Sequence, residues 1–271
     1  MPTLLLTGAT GLIGSRLAPR LVDAGFDCRA LVRGDTAPEG ATAVRGDLTD
    51  PASLGLAVEG VDAVVHLGAL FRTEDEDAIW AINRDGTRNL VAAVKAHAPS
   101  ARVVMASTSN VYDAAAVRPG RETDDCTPAA AYPASKIAAE AILRESGLTW
   151  VVLRLPFVYG DGDGHLEAMP TLSQRFGLHP ANTYSVAHHR DVMTAVGIAL
   201  TGAMDGRVVN IADDAPVTVL EMTEIAGAPI EGSSEPLPHP WAGRMDTTLA
   251  RELGFRPAVP TMRGAARDGL L

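Results

Sequence analysis

Short apolar runs alternate with amphipathic stretches along the first two-thirds of the chain. The runs predict strands at 3–7, 28–32, 63–67, 102–106, 150–155 and 208–211. The stretches between them carry apolar residues at helical spacing and predict helices that include 12–24, 78–95 and 135–146. Strands that are apolar on both faces and alternate with helices are typical of a parallel sheet covered on two sides. The pattern therefore predicts an α/β fold with a Rossmann-type doubly wound parallel sheet.

The alternation becomes less regular after Leu155. Residues 156–183 are rich in Gly, Pro and His, and residues 227–243 are again rich in Gly and Pro. Such composition is typical of a loop-rich subdomain. We therefore assign 1–156 and 185–212 to a dinucleotide-binding domain. We expect 157–184 and 213–271 to form a small substrate-binding lobe over the C-terminal edge of the sheet.

A glycine-rich segment follows the first predicted strand and opens the first predicted helix, with glycines at positions 8, 11 and 14. Glycines allow a tight turn and a close approach of the backbone to a pyrophosphate, and the helix N-terminus supplies N–H groups. The spacing is not the Gly-x-Gly-x-x-Gly of ordinary dinucleotide dehydrogenases, but its place at this junction predicts a cofactor site. The loop residues expected to contact the cofactor are Gly8, Thr10, Gly11, Leu12 and Ile13.

The tip of the second predicted strand should meet the adenosine ribose. An acidic residue there would bind a free 2′-hydroxyl, whereas an arginine would pair with a 2′-phosphate. Arg33 comes first after the strand, so we favour NADP(H), with NAD(H) as the alternative. Asp47 and Leu48 follow the next apolar stretch and are expected to face the adenine, although a turn role fits Asp47 equally well.

Candidate chemistry lies in the helix predicted after the fourth long strand. Tyr132 and Lys136 are four residues apart and share one helical face. A phenol with a pKa near 10 is a poor acid at neutral pH, but a neighbouring ammonium lowers that pKa. Tyr132 would donate a proton to a carbonyl as hydride arrives, and Lys136 would also hold the ribose hydroxyls. Ser107 and Thr108, just past the strand at 102–106, offer a hydroxyl opposite the tyrosine.

These motifs together resemble the short-chain dehydrogenase/reductase superfamily, specifically its extended, epimerase/dehydratase-like branch. The resemblance covers nearly the whole chain. It rests on the three glycines, on the Tyr–Lys pair, and on segments 64–69, 83–89, 154–160, 188–192, 209–211 and 253–257.

The resemblance implies specific roles. Thr108 would carry the catalytic hydroxyl, Tyr132 would be the acid/base and Lys136 its helper. Further contacts to the cofactor would come from Leu67, Gly68, Ala69, Asn83, Pro156 and Val158. It also implies a homodimer in which each subunit contributes the helices 78–95 and 135–146 to a four-helix bundle.

Two departures from the family pattern narrow the reaction. Sugar-nucleotide dehydratases carry an Asp-Glu pair where this chain has Ser109 and Asn110, which cannot do that acid–base work. Epimerases usually have Asn in place of Phe157, whose ring would make that wall of the pocket apolar. These departures therefore argue against a dehydratase and make the epimerase interpretation less favoured, without excluding it.

Three interpretations remain: a ketone or aldehyde reductase (or alcohol dehydrogenase) on a small, partly apolar substrate, a sugar or nucleotide-sugar epimerase that retains NAD, and a non-catalytic NAD(P)-sensing regulator. The intact Tyr–Lys pair counts against the regulator. We favour the reductase. The residues expected to line its substrate pocket are Phe71, Arg72, Ser107, Ser109, Asn110, Tyr112, Phe157, His165 and His188.

Composition limits the partners. A formal net charge of −10 argues against a nucleic-acid partner, because a phosphate-binding surface needs clustered Lys and Arg. No apolar run approaches the roughly 18 residues of a membrane span, and no basic segment precedes the first strand. We therefore expect a cytoplasmic protein without a membrane partner. His188 and His189 are adjacent, without metal-ligand spacing, so we expect no metal site.

Overall fold

The computed structural model describes all 271 residues. Its strands are β1 (Thr3–Thr7), β2 (Asp27–Val32), β3 (Thr42–Arg45), β4 (Ala63–His66), β5 (Arg102–Thr108), β6 (Thr149–Leu155), β7 (Phe157–Tyr159), β8 (Thr183–Tyr184), β9 (Val186–His188), β10 (Arg207–Asn210) and β11 (Val217–Thr218). Seven of them form one parallel sheet in the order β10–β6–β5–β4–β1–β2–β3. The predicted strands all lie in this sheet, so the predicted doubly wound α/β fold is confirmed.

The helices are α1 (Gly14–Asp23), α2 (Pro51–Val58), α3 (Glu76–Trp80), α4 (Gly86–His97), α5 (Ala131–Arg144), α6 (Met169–Phe176), α7 (His189–Thr201), α8 (Val219–Ile225), α9 (Thr248–Glu252) and α10 (Met262–Arg267). A π-helical turn, Ala81–Asp85, joins α3 to α4, so the helix predicted at 78–95 is one continuous helical stretch. None of the helices combines the length and the apolar composition that a membrane crossing requires.

The sheet buries side chains on both faces, as the continuous apolar strands predict. Leu4 and Leu6 of β1 pack with α1 and α7 on one face, whereas Leu5 between them packs with α2, α4 and α5 on the other. Successive side chains of a strand point to opposite sides, so a strand covered on both sides must be apolar throughout.

A second, smaller core lies in the C-terminal part of the chain. It includes Tyr159, Leu166, Met169, Met222 and Met262. The short parallel pair β7–β9 and the antiparallel pair β8–β11 accompany it. Its residues fall within the segments predicted for the small lobe, except Val186 of β9. Ala250 and Phe255, also within those segments, pack in the core of the large sheet instead, and the domain boundaries stay a prediction.

The sheet topology sets the location of the site. The strand order reverses between β1 and β4, because β1 leads to β2 on one side and the chain returns to β4 on the other. Ligands of doubly wound sheets bind at the carboxyl ends of the strands, at this reversal point. The loops after β1, β4, β5 and β6 therefore surround the expected site.

Candidate active site

The glycine-rich loop has the close backbone contacts that its sequence predicts. Gly8 has a positive φ of 68°, and a Cβ there would lie 2.7 Å from the amide nitrogen of Gly68. A Cβ on Gly14 would lie 2.2 Å from the carbonyl oxygen of Gly8. The loop thus packs tightly against both the loop after β4 and the start of α1. Its outer surface, with Gly11 on the cleft wall, is a cradle shaped for a pyrophosphate at a helix N-terminus.

A chain of buried hydrogen bonds fixes this loop contact. The Thr87 hydroxyl donates to the carbonyl oxygen of Asn83 at 2.5 Å, so it accepts from Nε2–H of His66 at 3.0 Å. His66 Nδ1 then accepts from the Thr7 hydroxyl at 2.6 Å, and Thr7 in turn accepts from the Gly68 amide at 3.1 Å. Burial lowers the pKa of His66 to about 3, consistent with this neutral tautomer.

Asn83 connects the loop after β4 to the helix that carries the tyrosine. Its amide oxygen accepts from the Leu70 N–H at 2.7 Å, and its amide nitrogen donates to the Leu70 carbonyl and to the Ser135 hydroxyl, both at 3.0 Å. Ser135 donates to the carbonyl oxygen of Tyr132 at 2.7 Å. Asn83 is fully buried and does not line the cleft, so its predicted cofactor contact is replaced by a positioning role.

An open cleft of about 370 Å³ lies at the carboxyl ends of the strands. Its wall contains no aspartate or glutamate. Most of the residues predicted to bind cofactor or substrate meet there, namely Gly8, Gly11, Leu12, Ile13, Leu67, Ala69, Phe71, Arg72, Ser107, Thr108, Ser109, Asn110, Tyr132, Lys136, Pro156, Phe157, Val158 and His165. The glycine cradle and the acid-free wall both fit a dinucleotide.

Thr108, Tyr132 and Lys136 face the same cleft. Thr108 ends β5, and its hydroxyl oxygen accepts from the Asn110 N–H at 3.2 Å, which leaves its hydrogen free to donate. Burial raises the pKa of Tyr132 to about 12, while the Thr108 hydroxyl and the charge of Arg72 act in the opposite direction. Burial also lowers the pKa of Lys136 to about 8.

The neighbouring hydroxyl of Ser107 has a different partner. It donates to Oε1 of Glu140, a buried side chain one turn beyond Lys136 on α5. Arg154 of β6 binds the same carboxylate through two nitrogens, at 3.1 and 2.7 Å. Because the Ser107 hydrogen is used in this way, Thr108 is the hydroxyl left to face a substrate.

Aromatic rings and one arginine form the outer part of the cleft. The Phe71 ring lies 4.3 Å from the Tyr132 ring, and Phe157 stacks on His165 at 3.9 Å. Nδ1–H of His165 donates to the Val158 carbonyl at 2.7 Å, so Nε2 of the neutral ring accepts from the Arg72 guanidinium. This last contact joins the loop after β4 to the small lobe across the cleft.

A separate depression lies at the tips of β2 and β3. Arg33, Arg45 and Asp47 line it. Hydrogen bonds from the N–H and hydroxyl of Thr49, each 2.8 Å long, hold the pKa of the Asp47 carboxyl below its usual value. Asp47 therefore stabilises a turn, while Arg33 and Arg45 have no acidic partner within ion-pair distance.

Comparison with known proteins agrees with this architecture. The model of the NAD dependent epimerase/dehydratase family matches residues 4–212. The chain belongs to this family. It is an NAD(P)-dependent enzyme of the oxidoreductase type.

Individual relatives are similar over nearly the whole chain. The 4-hydroxy-2-methyl-3-oxo-4-farnesyl-3,4-dihydroquinoline-1-oxide ketoreductase of Stigmatella aurantiaca is 30% identical over 96% of this chain and 83% of its own length. The dTDP-6-deoxy-L-talose 4-dehydrogenase (NAD(P)(+)) of Kitasatospora kifunensis is 32% identical over 96% of this chain and 92% of its own length. A solved structure, MoeE5 in complex with UDP-glucose and NAD, has a TM-score of 0.80 and 26% identity, and the similarity covers 98% of this chain and 96% of that one.

Two residues predicted for the substrate pocket of this epimerase/dehydratase-family member lie elsewhere. The Tyr112 hydroxyl donates to Asn210 at 2.6 Å behind the cleft and accepts from Arg154 at 3.1 Å. His188 is fully buried, caps α7 and bonds to the Leu270 carbonyl at 2.7 Å. Neither residue lines the cleft as predicted, because the Tyr112 hydroxyl and the His188 ring nitrogen bind partners outside it.

Three predicted cofactor residues also have other surroundings. Thr10 is exposed at the turn and does not line the cleft. Leu48 is buried, and its side chain packs closely against Gly68 and Gly86. Gly68 in turn packs against Gly8. Leu48 and Gly68 thus support the loops that form the cofactor wall of the family fold.

Three residues of this family member were not predicted. Arg45 lies beside Val32 in the β2–β3 register, and recognising β3 would have placed it next to Arg33. Glu140 follows Lys136 at helical spacing, a signal present in the sequence. Tyr184 of β8 reaches the cleft from the small lobe, and no local sequence pattern predicts this position.

Proposed function

We propose that this protein is an NADP(H)-dependent reductase of ketones or aldehydes, or an alcohol dehydrogenase in the reverse direction, on a small and partly apolar substrate. The observation that carries the proposal is the meeting of Thr108, Tyr132 and Lys136 in one cleft, beside Ser109 and Asn110 rather than an acid pair. A cleft with this set can transfer hydride and one proton, but it has no carboxyl group to remove a hydroxyl from a sugar.

The cofactor, when bound, supplies the hydride that adds to the carbonyl carbon. Tyr132 donates its hydroxyl proton to the carbonyl oxygen, so that the C=O double bond becomes a C–OH group. The free hydrogen of Thr108 orients that oxygen. The Thr108 hydroxyl and the charge of Arg72 act against the effect of burial on the Tyr132 pKa, and the charged ammonium of Lys136 in the same cleft would stabilise the phenolate that remains.

The names of two relatives support this chemistry. A ketoreductase and a sugar 4-dehydrogenase both interconvert a carbonyl and an alcohol. The epimerase alternative has one observation in its favour, the similarity to a structure that holds UDP-glucose and NAD. An epimerase retains its nicotinamide through the cycle, so the two functions differ in whether NADPH is consumed in proportion to product.

The proposed catalyst is tested with a Tyr132→Phe variant. General acid catalysis contributes about 10²- to 10⁴-fold, so kcat for NADPH-dependent ketone reduction should fall by that factor. The measurement is NADPH oxidation with a panel of ketones, together with NADPH binding by fluorescence titration, which should change little. Tyr112→Phe is the matched control, because its hydroxyl lies behind the cleft. Full turnover by Tyr132→Phe would refute the mechanism.

The preference for NADP(H) rests on Arg33 and Arg45. Both are exposed and lie at adjacent strand tips, and they line one depression together with Asp47 and Asp50 without an ion pair to either. An arginine pair at this place fits a 2′-phosphate. Arg33→Gln should weaken NADPH binding by about 10-fold or more and leave NADH binding nearly unchanged. Arg207→Gln, at the opposite edge of the sheet, should affect neither. Equal losses for both cofactors would contradict the assignment.

A further inference from the structure

The charged side chains on the cleft wall are all basic. Its titratable residues include Arg72, Lys136 and His165, but no acid. This holds in a chain with 33 acidic and 23 basic residues. In the proposed function Lys136 acts on Tyr132 and the ribose, and backbone amides of the glycine loop face the pyrophosphate. Arg72 is therefore a cation of the cleft that the proposed function assigns neither to the cofactor nor to the transferred proton.

Arg72 lies on the substrate side of the cleft. Its neighbour Phe71 packs against Tyr132 with the two rings tilted, and the Arg72 guanidinium carbon lies 5.2 Å from the centre of the Phe71 ring. The Arg72 charge lies close enough to Tyr132 to act on the pKa of its phenol. A group bound by Arg72 would thus lie a short chain away from a carbonyl at Tyr132.

The backbone at Arg72 adopts an unusual conformation. Its φ is 63°, in the left-handed region that favours glycine. A non-glycine residue adopts that conformation only at a cost in free energy, and such residues cluster at ligand sites. Glycine would relieve this cost but would lose the guanidinium. The strained conformation directs the side chain across the cleft toward His165.

The partners of Arg72 leave its charge uncompensated. Its hydrogen bond goes to Nε2 of a neutral His165, whose Nδ1–H is used by Val158. Burial and the like charge of Arg175 in α6 lower the pKa of Arg72. Arg72 forms no ion pair. A guanidinium group on the cleft wall without an acidic partner is suited to bind an anion.

We infer that the substrate is an oxo acid, whose carboxylate binds Arg72 while its carbonyl lies at Tyr132. A planar carboxylate matches the guanidinium fork. Phe71 and Phe157 on the cleft wall then contact the alkyl chain of the substrate. This inference rests on the proposed reductase function and adds the class of its substrate.

The test measures binding rather than turnover. The enzyme is loaded with NADP⁺, with which a ketone forms a complex that cannot react. A series of oxoalkanoates, such as 4-oxopentanoate, and their methyl esters are then titrated calorimetrically at one fixed ionic strength. Charged hydrogen bonds predict that at least one acid of the series binds about 10- to 100-fold more tightly than its ester.

Variants locate this preference. Arg72→Gln should bring the acid-to-ester ratio to within about 3-fold of unity, chiefly by weakening binding of the acid. Arg207→Gln removes the same charge at the far edge of the sheet and should keep the full ratio. No preference for any acid over its ester, or a preference that survives Arg72→Gln, would overturn the inference. Preferential binding of an acid that NADPH does not reduce would instead refute only the reductase function.

Discussion

Lys136 is a charged residue that is almost wholly buried, on the wall of the open cleft. Its exposure is 2%, and its ammonium group has no hydrogen-bond partner within the protein. Burial lowers its pKa from 10.5 to about 8, and the nearby Glu140 carboxylate only partly opposes this. At pH 7 the side chain is charged in both the folded and the unfolded chain. Its burial therefore reduces the free energy of unfolding.

A Lys136→Met variant should accordingly be more stable and inactive. One pKa unit corresponds to 1.36 kcal/mol, so the gain at pH 7 should be on the order of 1–3 kcal/mol. The folded-state pKa lies below the unfolded one, so the penalty is complete below about pH 8 and disappears by about 10.5. Urea unfolding at several pH values measures it. A variant less stable than the parent at pH 7 would contradict the argument.

Single residues could be predicted where their chemistry depends on near neighbours in sequence. Tyr132, Lys136 and Thr108 were found from helical spacing and from the end of a strand, and all three face the cleft. Tyr112 and His188 could not be placed, since their partners Asn210 and Leu270 lie 98 and 82 residues away. Whether a polar residue faces a pocket or a buried acceptor depends on such long-range packing.

At the scale of the element, α5 organises the chemistry along one face. Tyr132, Lys136 and Glu140 follow at four-residue intervals, and Glu140 is bound by Ser107 and Arg154 from the adjacent strands. The helix thus joins the proposed proton donor to the sheet through a buried ion pair. The Glu140 carboxylate also raises the pKa of Lys136 and so favours its charged form.

Glu140→Gln should therefore change the pH dependence of the reaction. Loss of the carboxylate lowers the Lys136 pKa further, so the alkaline fall of kcat/KM should move to lower pH by up to about one unit. Glu145→Gln, an exposed change at the end of the same helix, should leave the profile in place. A purely structural Glu140 would lower stability without moving the profile, and that outcome would contradict the prediction. Pre-steady-state and urea-unfolding measurements on both variants separate the two effects.

Helices and strands could be predicted where their buried positions form a regular apolar pattern in the sequence. β1 lies at the predicted 3–7, because it is central and apolar on both faces. β3 was not predicted as a strand, although an apolar stretch precedes Asp47, since it is an edge strand of only four residues that are largely exposed. The small lobe uses strands of only two or three residues, and tertiary pairing rather than periodicity defines them.

For the whole molecule, the homodimer stays a prediction. Trp80 and Ala81, together with Ile137, Ala138 and Ala141 of α5, are apolar and only partly covered within one chain. Sedimentation velocity should show a dimer, and Ala138→Arg should convert it to a monomer by placing a charge on this face. Ala115→Arg, in an exposed turn, should not. A monomeric parent protein would refute the assignment.

The acid-free cleft lies in a molecule whose formal net charge is −10. In dilute buffer of 0.01 M the Debye length is about 30 Å, so an approaching anion is repelled by the entire acidic surface before it meets the cleft. At 0.15 M that length shrinks to about 8 Å, and only charges close to the ligand still act. Moderate salt should therefore raise the association rate of anionic ligands. It should at the same time weaken their contacts in the cleft and raise their dissociation rate.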